Sequence, residues 1–174
     1  MVVIAVSGTP CTGKSTLSKA LSEAFGWEYI NINRLMQASG IPIKKDTMRA
    51  CKTVDLGDLD SFVRFRLARC NNAVIDSHMS HLLNKRLVDL CIILGCDLAL
   101  LKSRLEKRGY SPLKVKENLD SEIFQVCLTE AQRRGHDILY IRTDRAETSS
   151  LIRKIRRTLL SRNVPVREDK RTCP

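Results

Sequence analysis

A chain of 174 residues, 28% charged and 43% hydrophobic, is long enough for one domain with one sizeable core and too apolar to be disordered. No apolar run approaches the roughly 20 residues of a membrane span, and the seven cysteines show no C-x-x-C pair, so a membrane anchor, a disulfide framework and a thiolate metal site are disfavoured and an intracellular place is expected, cytoplasmic or, in a eukaryote, nuclear. The net charge of +11 is uneven, with Arg153, Lys154, Arg156, Arg157, Arg162, Arg167, Lys170 and Arg171 crowded against Glu168 and Asp169 alone after residue 150.

Val2 to Val6 is an unbroken, largely β-branched run, the pattern of a strand buried on both faces of a parallel sheet. Gly8, Gly13, Lys14 and Ser15 follow at the G-x-x-x-x-G-K-S spacing of a P-loop, in which glycines let successive backbone N–H groups approach phosphate oxygens. ATP is therefore expected on Gly8, Pro10, Cys11, Thr12, Gly13, Lys14, Ser15 and Thr16. Lys14 would meet the β/γ-phosphates, Ser15 would offer its hydroxyl to Mg²⁺, and Thr16 opens a helix whose positive end faces the anion.

Leu17, Leu21 and Ala24 keep a helical period up to a stop at Gly26, and Trp27 to Ile32 reads as a second strand. Asn33 can cap a short helix through Met36. From Ser39 to Asp55 the apolar period lapses among Gly40, Pro42, Lys44, Lys45 and Arg49, which suggests an excursion from the sheet, either a substrate-binding insertion or an exposed loop. Val54 to Ala68 reads as a helix with Leu56, Leu59, Phe62, Val63, Phe65 and Leu67 available for burial.

The short strand Ala73 to Ile75 ends at Asp76, followed by Ser77 and His78. A carboxylate at the C-terminal tip of a parallel strand faces the crevice where open α/β sheets bind ligands. Asp76 thus suits a Mg²⁺ role or an N-cap, and His78 suits a water-orienting base or a structural role. Leu87 to Leu94 is a further strand, and Asp97 starts a helix from Leu98 to Lys107. Arg104 and Arg108 share one face at its end, either closing over phosphates or answering the helix dipole. After a break at Gly109 to Pro112, a long helix is expected from Leu113 to Arg133, a last strand from His136 to Ile141, and a closing amphipathic helix from Ala146 to Ser161 that buries Leu151, Ile152, Ile155, Leu159 and Leu160. Strands alternating with helices predict one three-layer α/β/α domain around a five-stranded parallel sheet. The basic terminus is either a solvated face or a footprint for RNA or an acidic partner.

Four segments, GTPCTGKST, DSH at 76–78, RLEKRGYS at 104–111 and ENLDSEIFQVCLTEA at 117–131, together resemble the adenylate kinase isoenzyme 6-like family, small P-loop kinases and NTPases linked to maturation of the small ribosomal subunit. The likeness runs from about Val2 to Ala131. It implies a P-loop NTPase fold of the nucleoside-monophosphate kinase kind over residues 1–174, with an acceptor-binding insertion at about 31–55, a short lid at about 107–117 and a basic helix and tail at about 146–174. It implies ATP and Mg²⁺ as cofactors, transfer from ATP to AMP with accompanying ATPase activity, and Lys14, Asp76, His78 and Arg108 as the catalytic set, with Arg104 beside the nucleotide. Relatives carry an aspartate and then an arginine just after the second strand, where this chain has Arg34 and Gln37; Arg34, Lys44 and Arg49 are the candidates to hold the acceptor. The implied partners are AMP or another small phosphate acceptor, and a small-subunit ribosomal protein and rRNA at the basic terminus, with no membrane. Two alternatives stay open: an ATPase assembly factor without efficient kinase activity, and a kinase of another small acceptor such as cytidylate or shikimate.

Overall fold

The computed structural model describes residues 1–38, 44–46, 51–53, 56–162 and 164. The first strand, β1 (Val2–Gly8), is followed by α1 (Lys14–Phe25), β2 (Glu28–Asn31), α2 (Ile32–Ala38), β3 (Lys44–Asp46), β4 (Cys51–Thr53) and α3 (Leu56–Leu67). The second half runs β5 (Asn72–Asp76), β6 (Leu90–Gly95), α4 (Leu98–Lys107), α5 (Pro112–Ile123), α6 (Val126–Arg133), β7 (Ile138–Arg142) and α7 (Thr148–Ser161). Five strands form one parallel sheet in the order β2-β5-β1-β6-β7. Its centre is β1, whose residues alternate between two cores. Val2, Ile4 and Val6 pack with Leu17, Leu21, Ile155 and Leu159 on one face, while Val3 and Ala5 pack with Leu59, Val63 and Ala131 on the other. Covering both faces is why the strand is apolar at every position.

Several expectations need correction. The excursion at 39–55 contains a small antiparallel pair, β3 with β4, whose strands of three residues are too short to show a period. The cap of α2 is Asn31, whose Oδ1 accepts from the Arg34 N–H at 2.9 Å, and not Asn33. The helix expected from Leu113 to Arg133 is two helices, α5 and α6, broken where Gln125 adopts φ 49°. That break leaves Ile123 and Phe124 exposed. Phe65 and Leu160 are also exposed, Phe65 lying under the Arg69 guanidinium at 4.7 Å. Leu151, Ile155 and Leu159 do face the core, and Leu160, one residue and about 100° on, turns outward.

The crowded cations of α7 divide in two. Arg156 is half-buried and stacks on Phe25 at 5.0 Å, while Arg162, exposed just past the helix, is paired with Asp137 at 2.8 Å. Arg153, Lys154 and Arg157 are exposed. Arg167, Lys170 and Arg171, like Arg49, lie outside the described residues. No helix among the described residues is long and apolar enough to cross a membrane. Cys91 and Cys96 are buried, and burial pushes the Cys91 thiol up to about 12, as expected of small core residues.

Candidate active site

The turn from β1 into α1 occupies the C-terminal edge of the sheet. Gly8 has φ 136°, and a Cβ there would run into the Leu94 carbonyl oxygen, so only glycine fits. Gly13 has φ 95°, and a Cβ there would only touch Thr143, so its backbone conformation and not its space asks for glycine. Cys11 takes the left-handed conformation at φ 68°, a strained choice for a side chain of this kind. Thr12 is turned fully inward, with Oγ1 donating to the Thr9 carbonyl at 2.8 Å, so its hydroxyl does not reach the cleft.

The loop is clamped from both sides by residues that the sequence reading had not singled out. Glu122 of α5 accepts from Thr9 Oγ1 at 2.6 Å and from the Cys96 N–H at 2.9 Å. Thr143, just past β7, donates from Oγ1 to the Thr12 carbonyl at 2.8 Å. Gly95 leaves room for the Tyr140 ring that lies across it.

Lys14 is nearly buried, and its Nζ donates to the Gly8 and Thr9 carbonyls at 2.8 Å each. Burial pushes the ammonium down to about 8, against the pull of Asp76. It stays mostly charged at neutral pH, and an approaching phosphate anion would reinforce that charge.

Parallel register sets Asn31 beside Asp76 at the tips of β2 and β5. Asp76 is buried, and its Oδ2 accepts from Tyr29 Oη at 2.7 Å and from Asn31 Nδ2 at 3.0 Å. Burial first, and then the bond to Asp76, raise the Tyr29 pKa, so the phenol remains a donor. The nearby Ser15 side chain acts on the same phenol in the opposite sense, so Ser15 and Asp76 share a neighbour. A hydroxyl and a carboxylate are the hard oxygen donors that Mg²⁺ prefers. Among the described residues no group of three or more His, Cys, Asp or Glu could cage a metal ion, so the other ligands would be phosphate oxygens and water.

His78 is open to the cleft, yet the protein around it, and then Lys14 and His81, push its pKa down to about 4. It is neutral at physiological pH, as a water-orienting role requires. His81 and His136 are buried and their pKa values are lowered by burial; Glu130 opposes the shift at His81, where His136 and Arg134 reinforce it. All three histidines of the chain are therefore held neutral by the fold. Unfolded histidines take up protons near pH 6.5 that the folded ones refuse, so this contribution to stability is complete above about 6.5 and is lost as pH falls below it. Denaturant midpoints without nucleotide should be lower at about pH 5 than at about pH 7.5. Equal midpoints would contradict the assignment, which rests mainly on His81 and His136 because His78 faces water.

Arg104 donates to the Cys11 carbonyl at 3.3 Å, and Arg108 reaches the Cys11 sulfur at 3.8 Å. Between α4 and α5 the chain turns at Gly109, φ 78° with open space around it, and Ser111 caps α5. Tyr110 lies between Arg108 at 5.7 Å and Lys114 at 5.1 Å.

One cleft of about 1380 Å³ gathers Gly8, Pro10, Cys11, Gly13, Lys14, Ser15, Thr16, Asp76, His78, Arg104, Arg108 and Arg34. That exceeds the roughly 300–1,000 Å³ of a single small-molecule site, leaving room for a second ligand beside a nucleotide. Arg34 follows β2 while Arg104 and Arg108 follow β6, on opposite sides of β1 in the sheet, so cations flank the P-loop on both sides. Lys44 stands on β3 with its side chain outside the described residues.

Residues 4–125 match the family model described as AAA domain. "Putative adenylate kinase" of Methanocaldococcus jannaschii is 37% identical over 135 residues, 78% of this chain and 75% of that protein. A protein of the same name from Thermococcus onnurineus is 34% identical over 155 residues, covering 88% and 82%. The adenylate kinase isoenzyme 6 homolog of Caenorhabditis elegans is 34% identical over 130 residues, covering 74% and 71%. Among solved structures, shikimate kinase from Acinetobacter baumannii in complex with shikimate superposes with a TM-score of 0.66 at 15% identity over 95% of this chain and 96% of that one, a likeness of fold alone.

Proposed function

The chain belongs to the adenylate kinase isoenzyme 6-like family of P-loop AAA-domain proteins, and from that premise we propose that it transfers the γ-phosphoryl group of ATP to a nucleoside monophosphate, AMP first among them, and hydrolyses ATP slowly when no acceptor is bound. The observation that carries this reading is the single cleft in which a P-loop is flanked by Arg104 and Arg108 on one side and by Arg34 on the other. Phosphoryl transfer asks for alignment and charge neutralisation more than for covalent chemistry, and these residues supply both. Lys14 and the loop amides hold the β/γ-phosphates. Ser15 and Asp76 would hold Mg²⁺, which when bound neutralises charge between those phosphates. Arg34 offers a planar fork to the acceptor phosphate, which a lysine cannot match. The turn at 108–111, hinged at Gly109, carries Arg108 from the Cys11 sulfur onto the transferring group as a lid. ADP formation measured with AMP, CMP or shikimate tests the acceptor: AMP should raise it well above the acceptor-free rate, and a larger response to shikimate would move the chain to the other small-molecule kinases.

His78 serves turnover rather than affinity. His78→Ala should keep ATP binding and slow turnover by about 10²-fold, the lower range for losing an acid–base group. Steady-state kinetics with a separate binding measurement checks this, and weaker binding with unchanged turnover at saturation would make His78 structural.

A second reading, in which ATP turnover serves assembly of the small ribosomal subunit, draws on the three exposed cations of α7. Clustered Arg and Lys grip phosphate backbones without reading sequence. Replacing Arg153, Lys154 and Arg157 by Gln should reduce retention of rRNA and flatten its salt dependence by up to about three in slope, with ATP turnover intact. Equal retention by the variant would leave these cations as a solvated face.

A further inference from the structure

Ser7, His81 and Glu130 form a hydrogen-bonded chain to which the phosphate chemistry assigns no part. Ser7 Oγ lies 2.6 Å from His81 Nδ1, and His81 Nε2 lies 2.8 Å from Glu130 Oε2. The resemblance to a hydrolytic triad is superficial, because Ser7 is fully buried in β1 and no substrate carbonyl could reach it. The arrangement instead fixes a tautomer. A carboxylate facing Nε2 requires a proton there, so His81 donates to Glu130 and Nδ1 accepts the one Ser7 hydroxyl proton at 2.6 Å in preference to the His78 carbonyl, which lies 3.2 Å from Ser7 Oγ.

The consequence falls on Glu130. One of its oxygens is committed to a buried, immobile imidazole, while Oε1 has no partner among the described residues and the side chain is 42% exposed. The carboxylate lines the cleft together with Met36, Met79, Leu82 and Val126. Cys127, one turn earlier on α6, lies within electrostatic reach of both Lys14 and Glu130, which places the carboxylate on the P-loop cleft and not on a remote surface. Asp76 and Glu117 are the other carboxylates of the cleft, the first already bonded to Tyr29 and Asn31, and apolar methionine and leucine side chains together with a carboxylate oriented by a buried imidazole suit a flat ring that carries a hydrogen-bond donor. The same negative charge repels phosphate, so an acceptor must enter with its phosphate toward Lys14 and Arg34 and its donor end toward Glu130.

Resting on the kinase reading above, we propose that Glu130 determines acceptor specificity by accepting a hydrogen bond at Oε1 from the exocyclic amino group of the acceptor's nucleobase, with His81 and Ser7 holding it in place. Nucleobases with an amino group at that position are selected over those with a carbonyl, which would set two acceptors face to face.

AMP and IMP differ at that group, amino against oxo, and calorimetric binding of each to the full chain tests the assignment apart from turnover. The wild type should bind AMP at least about tenfold more tightly than IMP. In Glu130→Gln the amide oxygen takes the His81 proton and the amide N–H₂ faces the ring, so the preference should vanish or reverse. If that variant loses all binding, Glu130→Ala decides, since it removes the acceptor without adding a donor and should bind the two nucleotides about equally. Equal binding of AMP and IMP by the wild type, or an unchanged preference in the variants, overturns the proposal. Should the wild type discriminate through Glu130 yet transfer no phosphoryl group to AMP, the kinase reading fails and this assignment stands.

Discussion

Lys14→Ala is expected to lower ATP turnover by about 10³-fold, at the upper end of what removing one preorganised charge-stabilising group costs. The side chain is buried and, among the described residues, its ammonium donates to the Gly8 and Thr9 carbonyls. Those two bonds offset a desolvation cost that is large enough to push its pKa down to about 8, so deleting the charge also deletes the cost. The variant should therefore melt within a few degrees of wild type without nucleotide. Wild type should gain stability from Mg-ATP by mass action, and the variant should gain much less. Near-normal turnover in the variant would remove the P-loop lysine from the chemistry.

Asp76→Asn should cost about 10²–10³-fold in turnover for a different reason. The substitution keeps the shape, and the amide oxygen can still accept from Tyr29 and Asn31 at the Oδ2 position. What changes is the other atom, where an N–H₂ group would replace the carboxylate oxygen that would hold Mg²⁺. Turnover should recover in part as Mg²⁺ is raised, and ATP affinity measured without Mg²⁺ should hardly move. A variant with the wild-type Mg²⁺ dependence would place the ion elsewhere.

The parts of this site that lie together in sequence were readable without the structure. Gly8 to Thr16 is one continuous stretch, running from the end of β1 into the first turn of α1, and its spacing carries its own physical reason; β1 and the centre of β5, Ala73 to Ile75, were legible because segments buried on both faces are apolar. The supports of the site were not legible, because they are non-local. Glu122 reaches Thr9 from 113 residues away, Tyr29 and Asn31 meet Asp76 only through the register of β2 on β5, and His81 joins Ser7 across 74 residues. The break at Gln125 escaped for another reason, since no glycine or proline announces it and a glutamine in the left-handed region is an exception that tertiary contacts impose. That break matters to the site, because α5 carries Glu122 to the P-loop and α6 carries Glu130 to His81.

Transfer of label from ATP marked in its γ-phosphate tests the central claim most directly. With Mg²⁺ and AMP present, the cleft flanked by Arg34 on one side and by Arg104 and Arg108 on the other should place the label in ADP, at a rate that Lys14→Ala abolishes. Label that appears only as inorganic phosphate, at one rate with or without AMP, would contradict phosphoryl transfer to an acceptor and leave an ATPase.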